Sequence, residues 1–228
     1  PIICSLFLLN SNFVRSFIST NNSSGGTKLV VSTFNANYLR YSGDPIGGSV
    51  KFIEWLRNTN IDVICIQEYE NHLFKNYCTD SLISSLGYTH QEMLEVDTGI
   101  HLNLGIKIFS KYPLKLHLGK SLEDGSINGN GFQIIELDMH SRKVIISNCH
   151  LNCYKLKNKL SLLSFVSALK AFTYENLSKN RQLDDLLNEI NRFKDQPVIL
   201  TGDFNSFNYS YVSREILSQG FFDSFTKS

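Results

Sequence analysis

Val198-Ile199-Leu200-Thr201-Gly202-Asp203-Phe204-Asn205 is the stretch on which the reading of this chain turns. Aliphatic and β-branched residues ahead of a glycine read as a short buried strand that stops at a tight turn. Past the turn stand Asp203 and Asn205, two residues apart and so on one face if the chain stays extended. A carboxylate and a carboxamide are then held at the rim of a sheet, fixed by the strand and left open to a ligand by the loop. Taken alone, Gly-Asp-x-Asn suits an ordinary turn equally well, so its meaning depends on what the other strands deliver.

Upstream of that strand, Leu160, Leu163, Val166 and Leu169, then Leu183, Leu186, Leu187, Ile190 and Phe193, recur at helical spacing, with a break expected near Thr173 to Ser178. Phe132 to Met139 and Lys143 to His150 read as strands, and His140-Ser141-Arg142 suits the turn of a hairpin between them. Leu104 to Ser110 reads as another strand, and Asp80 to Leu86 as a short helix. Asp62-Val63-Ile64-Cys65-Ile66 reads as a buried strand closing on Gln67-Glu68. Ahead of it, Val50, Ile53, Trp55 and Leu56 suit a helix over Ser49 to Asn58, and Leu29 to Phe34 forms a β-branched run ending on Asn35.

The chain has 228 residues, 42% hydrophobic and 19% charged, enough for one sizeable core in a single domain. With 22 Lys plus Arg against 21 Asp plus Glu, no overall positive field draws it to nucleic acid. Its five cysteines lack paired CxxC spacing, and Cys65 and Cys149 sit in apolar runs, which favours reduced core thiols. Cys149-His150-x-x-Cys153 has no second ligand pair to complete a zinc site. Ile2 to Leu9 is apolar but short, and reads either as the remnant of a signal or anchor or as an element packed on the domain. The first alternative implies a membrane-associated or secreted protein, the second a cytoplasmic one. Ser19 to Gly26 has linker composition, so residues 1–27 are expected to be a tail and 28–228 the domain.

Four otherwise apolar strands thus end on Asn35, Glu68, His150 and Asp203. Singly, each suits a cap or a solvated strand end. Together, two carboxylates, an amide and an imidazole can bind a divalent cation and a phosphate. A phosphodiester resists attack because its oxygens are negative, so its hydrolysis needs charge neutralised, water activated and the leaving oxygen supported. Glu68 suits Mg²⁺, which favours one or two carboxylates and retains waters. Asn35 can ligate the metal or orient a partner, His150 can donate to a phosphate oxygen, Asp203 can align or deprotonate water, and Asn205 can stabilise an oxyanion.

Thr33-Phe34-Asn35, Ile66-Gln67-Glu68, Gly105-Ile106-Lys107-Ile108-Phe109-Ser110-Lys111-Tyr112-Pro113, Asn148-Cys149-His150-Leu151 and Gly202-Asp203-Phe204-Asn205 resemble, in order and rough spacing, the endonuclease/exonuclease/phosphatase family. The resemblance runs from about Lys28 to the end. It implies a four-layer α/β sandwich of two packed, mostly antiparallel or mixed β-sheets flanked by helices, and a hydrolase dependent on Mg²⁺ or Mn²⁺. It further implies Asn35 and Glu68 as metal positions, His150 as the phosphate-contacting histidine, and Asp203 and Asn205 as the pair that aligns the nucleophile and steadies the transition state. The implied partner is a phosphate ester (nucleic acid, phospholipid or phosphorylated small molecule); no protein partner is evident in the sequence, and a monomer is expected.

One departure stands out: the family closes on two more strands and a Ser-Asp-His segment, whereas only Ser206 to Ser228 follow Asn205 and Asp223 is not followed by His. On the resemblance the last strands are missing, and loss of a general acid or base costs about 10²- to 10⁴-fold, so the chain itself is expected to be weak. The alternative is a binding or scaffold module that keeps the fold without turnover. Phe207, Tyr209 and Tyr211, next to Asn205, read either as core packing or as a platform for a base or lipid edge. Specificity is expected in the loops Tyr38 to Gly48 and Asn71 to Thr79.

Overall fold

The computed structural model describes residues 2–4, 15–18, 28–39, 45–71, 73–74, 77–95, 104–122, 129–139, 142–153, 177–207 and 209–224. Two mixed sheets face each other with helices outside. The first contains β2 (Arg15–Ile18), β3 (Val30–Asn35), β4 (Val63–Glu70), β8 (Leu104–Ser110) and β7 (His90–Glu95), in that order. The second runs β13 (Phe221–Asp223), β1 (Ile2–Cys4), β12 (Val198–Asp203), β11 (Lys143–His150), β10 (Gly131–Asp138), β9 (Leu114–Ser121). A small hairpin, β5 (Leu73–Phe74) with β6 (Tyr77–Cys78), stands apart from both.

Alternation along the strands produces three cores and therefore four layers. On β4, Ile64 and Ile66 pack against α1 (Pro45–Arg57) and α2 (Thr79–Ser85), whereas Val63 and Cys65 turn inward to the other sheet. On β11, Ile145 and Cys149 pack with Leu183, Leu186, Leu187 and Ile190 of α3 (177–190), and Ile146 faces Cys65 and Ile135 in the core between the sheets. The outer face of the second sheet is also covered by Val212 and Ile216 of α4 (Tyr211–Ser218). On α1 the burial falls on Phe52, Ile53 and Leu56, while Val50 is exposed. Among the described residues no helix is long and apolar enough to cross a membrane.

Two parallel pairs set the position of the site. β3 and β4 are parallel and joined through α1; β11 and β12 are parallel with α3 between them in the chain. Parallel neighbours end at the same sheet edge. Asn35 and Glu68 therefore share one edge and His150 and Asp203 another, and the two edges meet where the sheets stack. Opposite His150 in the antiparallel β10–β11 pair lies Gly131. That pairing is the expected hairpin, although His140 and Ser141 of its turn lie outside the described residues. The expected helix over 160–169 and residues 173–176 of the break expected at 173–178 also lie outside them, whereas Leu177 and Ser178 of that break already belong to the helix 177–190, whose leucines keep the expected spacing.

Candidate active site

Odd-numbered residues of β3 and β12 face the core between the sheets, which turns Asn35 and Asp203 toward each other. Even-numbered residues of β11 do the same, so His150 follows Ile146 and Asn148 inward while Cys149 faces α3. Cys149 and His150 thus point to opposite faces of one strand.

Glu68 reaches the site by a different route. Ile66 pairs with Lys107 and Tyr69 with Gly105, so β4 spends one residue more than β8 between these points. That extra residue is a β-bulge, and Glu68 adopts φ +48° within it. Strict alternation assigns Glu68 to the helix side, where Ile64 and Ile66 lie. The bulge instead lets Tyr69 take the helix side, where it packs with Phe109, and re-aims Glu68 at Asn35.

The expected site residues converge. Asn35 Nδ2 donates to Glu68 Oε1 and to Asp203 Oδ2, each at 3.0 Å. Asn35 Oδ1 accepts from the Asn37 amide at 2.9 Å, which fixes the side chain with its NH₂ toward the carboxylates. His150 Nε2 lies 3.6 Å from Glu68 Oε1; the imidazole is 1% exposed, and its Nδ1 has no hydrogen-bond partner among the described residues. Asp203 Oδ1 accepts from the Asn205 amide at 2.9 Å.

The chain does not stay extended past Asp203. Asn205 has φ +46°, and the Asp203 carboxylate caps its amide in a tight side-chain turn. Asn205 Nδ2 donates to the Leu151 carbonyl at 2.8 Å, joining the loop after β12 to the loop after β11. Gly202 is required just before: with φ +141°, a Cβ there would lie 2.1 Å from the Cys149 carbonyl oxygen. Phe207 and Tyr209 are 66% and 91% exposed, so they stand on the rim rather than packing into the core.

Behind these residues lies a buried polar tie that motif reading named without assigning a role. Gln67 Nε2 donates to Thr33 Oγ1 at 3.1 Å and across the sheets to Asn148 Oδ1 at 2.6 Å. Asn148 Nδ2 in turn donates to the carbonyls of Ile66 and Lys107, both at 3.2 Å. Sequence reading also missed Lys179 and Gln182, buried on α3. The signal was available: the stripe Leu183, Leu186, Leu187, Ile190 continues at helical spacing back to these two polar residues.

Glu68 Oε1 and Asp203 Oδ2 are carboxylate oxygens, the ligand type a hard divalent cation takes, whereas the Asn35 NH₂ between them donates hydrogen bonds and offers no lone pair. Among the described residues no group of three or more His, Cys, Asp and Glu is close enough to hold a metal on its own, so such an ion would also need water or Asn35 Oδ1, which here accepts from the Asn37 amide.

Comparison with known proteins agrees with this architecture. No curated protein sequence matches significantly. Among solved structures, an endonuclease/exonuclease/phosphatase from Beutenbergia cavernae superposes with a TM-score of 0.57 at 15% identity, covering 90% of this chain and 52% of that one. This chain thus spans about half of that protein's length. Sphingomyelinase C from Streptomyces griseocarneus gives 0.54 at 16% identity, over 83% of this chain and 68% of that one. A mutant beta toxin from Staphylococcus aureus with bound magnesium ions gives 0.53 at 15%, over 82% and 68%. At these identities the likeness is one of fold. The model of the Endonuclease/Exonuclease/phosphatase family, however, matches residues 32–226, nearly the whole described domain and every residue of the site, and the chain therefore belongs to that family.

Proposed function

We propose that this chain is the core of a divalent-metal-dependent hydrolase of phosphate esters, with phosphodiesters its main substrates. The observation that carries the reading is the meeting of Glu68 Oε1 and Asp203 Oδ2 at Asn35 Nδ2, beside His150 Nε2. Members of the family are typically hydrolases of phosphoester bonds, and the magnesium-bound neighbour supports Mg²⁺ as the ion.

In this reading Glu68 would hold the ion together with water and with Asn35 Oδ1, once that amide is turned from the orientation in which its NH₂ faces the carboxylates, and the ion would neutralise charge on the phosphate oxygens. His150 Nε2 donates to a non-bridging phosphate oxygen. Asp203, braced on one oxygen by the Asn205 amide, aligns the attacking water and accepts its proton. Asn205 commits one Nδ2 hydrogen to Leu151 and has a second to offer a developing oxyanion. Exposed Phe207 and Tyr209 give an apolar or aromatic substituent a surface on the rim.

The test is hydrolysis of bis(p-nitrophenyl) phosphate and p-nitrophenyl phosphate with and without Mg²⁺. Magnesium-dependent turnover that disappears in Glu68→Ala supports the reading, with a greater rate on the diester. Unchanged turnover in Glu68→Ala overturns the assignment. Phosphate-ester binding without turnover favours a binding module of the same fold.

A further inference from the structure

One turn of α3 fastens three loops of the site. Lys179, 5% exposed, donates from Nζ to the Asn205 carbonyl. Gln182 Oε1 accepts from the Asn152 amide at 3.0 Å, and Ser178 Oγ accepts from Asn152 Nδ2 at 3.3 Å. Asn152 Oδ1 accepts from Asn130 Nδ2, and Asn130 immediately precedes Gly131, the register partner of His150.

We propose that Lys179 and Gln182 are positioning residues that hold the loops after β11 and β12 so that His150, Asp203 and Asn205 keep their arrangement. The premise rests on these hydrogen bonds; the consequence for turnover rests on the hydrolase reading. A lysine is seldom this deeply buried, because its ammonium must give up water. Four positions of the same stripe are apolar, so packing alone does not call for a cation at 179.

Asn205 explains the demand. A non-glycine residue at positive φ is held there only by its surroundings. Three anchors do this: Asp203 Oδ1 on its amide, Leu151 O on its side chain, and Lys179 on its carbonyl. Leu151, which follows His150, also donates its amide to the Asp203 carbonyl at 2.9 Å. Displacing the Asn205 carbonyl therefore moves the brace on Asp203 and the segment next to His150 together.

The experiment compares the wild-type chain with Lys179→Met, Lys179→Arg and Gln182→Ala. Amide hydrogen exchange and steady-state kinetics on bis(p-nitrophenyl) phosphate with Mg²⁺ are the readouts. Lys179→Met is expected to speed exchange at Asn205 and Asn152 on the order of tenfold while Ile134 and Ile135 of β10 keep their protection. Its kcat falls about 10- to 100-fold with KM changed less than about twofold, and Lys179→Arg recovers most of the loss. Exchange that rises equally throughout the chain with kcat unchanged overturns the proposal, as does unaltered exchange at Asn205 and Asn152. If Lys179→Met does not fold, Gln182→Ala, which leaves the ammonium in place, is judged by the same criteria at Asn152. Wild-type protein that hydrolyses no phosphate ester overturns the hydrolase reading alone, and the exchange comparison then decides the clamp.

Discussion

Gln67 on one sheet donates to Asn148 on the other at 2.6 Å, directly beneath Glu68 and His150. Both side chains are at most 1% exposed, so neither has water to fall back on. Each stands one or two residues from a member of the site, and the bond sets the relation between the two sheet edges.

Replacing Asn148 by Leu leaves a Gln67 hydrogen unpaired between the sheets. The expected loss is about 1–3 kcal/mol, read as a lower urea midpoint with an unchanged slope. A midpoint equal to that of the wild type would show that the tie carries no net stability.

At Gly202, a methyl group collides with Cys149, and above all with its backbone: the carbonyl oxygen at 2.1 Å, with the amide nitrogen and Sγ both at 2.7 Å. Gly202→Ala is expected to cost about 3 kcal/mol or more, or roughly 6–12 °C in Tm. A thermal melt within about 2 °C of wild type would refute the close-approach account.

Glu68 and Asp203 place two carboxylates around one amide, an arrangement that the proposed divalent ion would relieve. Mg²⁺ at about 100 times its Kd should therefore stabilise the wild type by about 2.7 kcal/mol. Glu68→Gln should lose most of that gain, while being no less stable than the wild type in EDTA because like-charge repulsion has been removed. Scanning calorimetry with Mg²⁺ and with EDTA checks both arms; an equal Mg²⁺ response in the two proteins removes Glu68 from the site.

Cys65 lies in the core between the sheets, and burial pushes its thiol up to about 12, with a hydrogen bond to Thr201 working weakly the other way. A thiol whose folded pKa exceeds its unfolded value near 9 stabilises the fold fully below pH 9. That contribution declines as pH rises from about 9 toward 12, by about 1.4 kcal/mol per pH unit. Denaturation midpoints should fall through that window, and Cys65→Ala should flatten the fall. An identical pH profile in the variant would assign alkaline instability elsewhere, for instance to Tyr88, which burial and then the Asp62 charge also shift upward.

Much of this molecule could be read from its sequence, because strands buried on both faces leave a local mark: an apolar run ending in a polar residue. β3, β4, β11 and β12 carry that mark, and so Asn35, Glu68, His150, Asp203 and Asn205 were recognisable together. β7 was not, since His90-Gln91-Glu92-Met93-Leu94-Glu95 shows no period of two and is a strand only by pairing with β8. β9 alternates through Leu114, Leu116 and Leu118, but its lysines at 115 and 120 mask the period, and Leu116, beside the register shift with β10, is 42% exposed.

What tertiary structure alone decided is how those strand ends act together. Asn35 and Asp203 are 168 residues apart and meet because two sheets stack, a relation no local pattern encodes. Glu68 reaches the site only because β8 imposes a bulge on β4, reversing the alternation its own sequence specifies. Asn205 leaves the extended path because Asp203, Leu151 and Lys179 each take one of its polar groups. Residue identity and strand direction follow from short-range sterics and hydrophobic patterning; the geometry of the site follows from long-range hydrogen bonds that exist only once the sheets have packed.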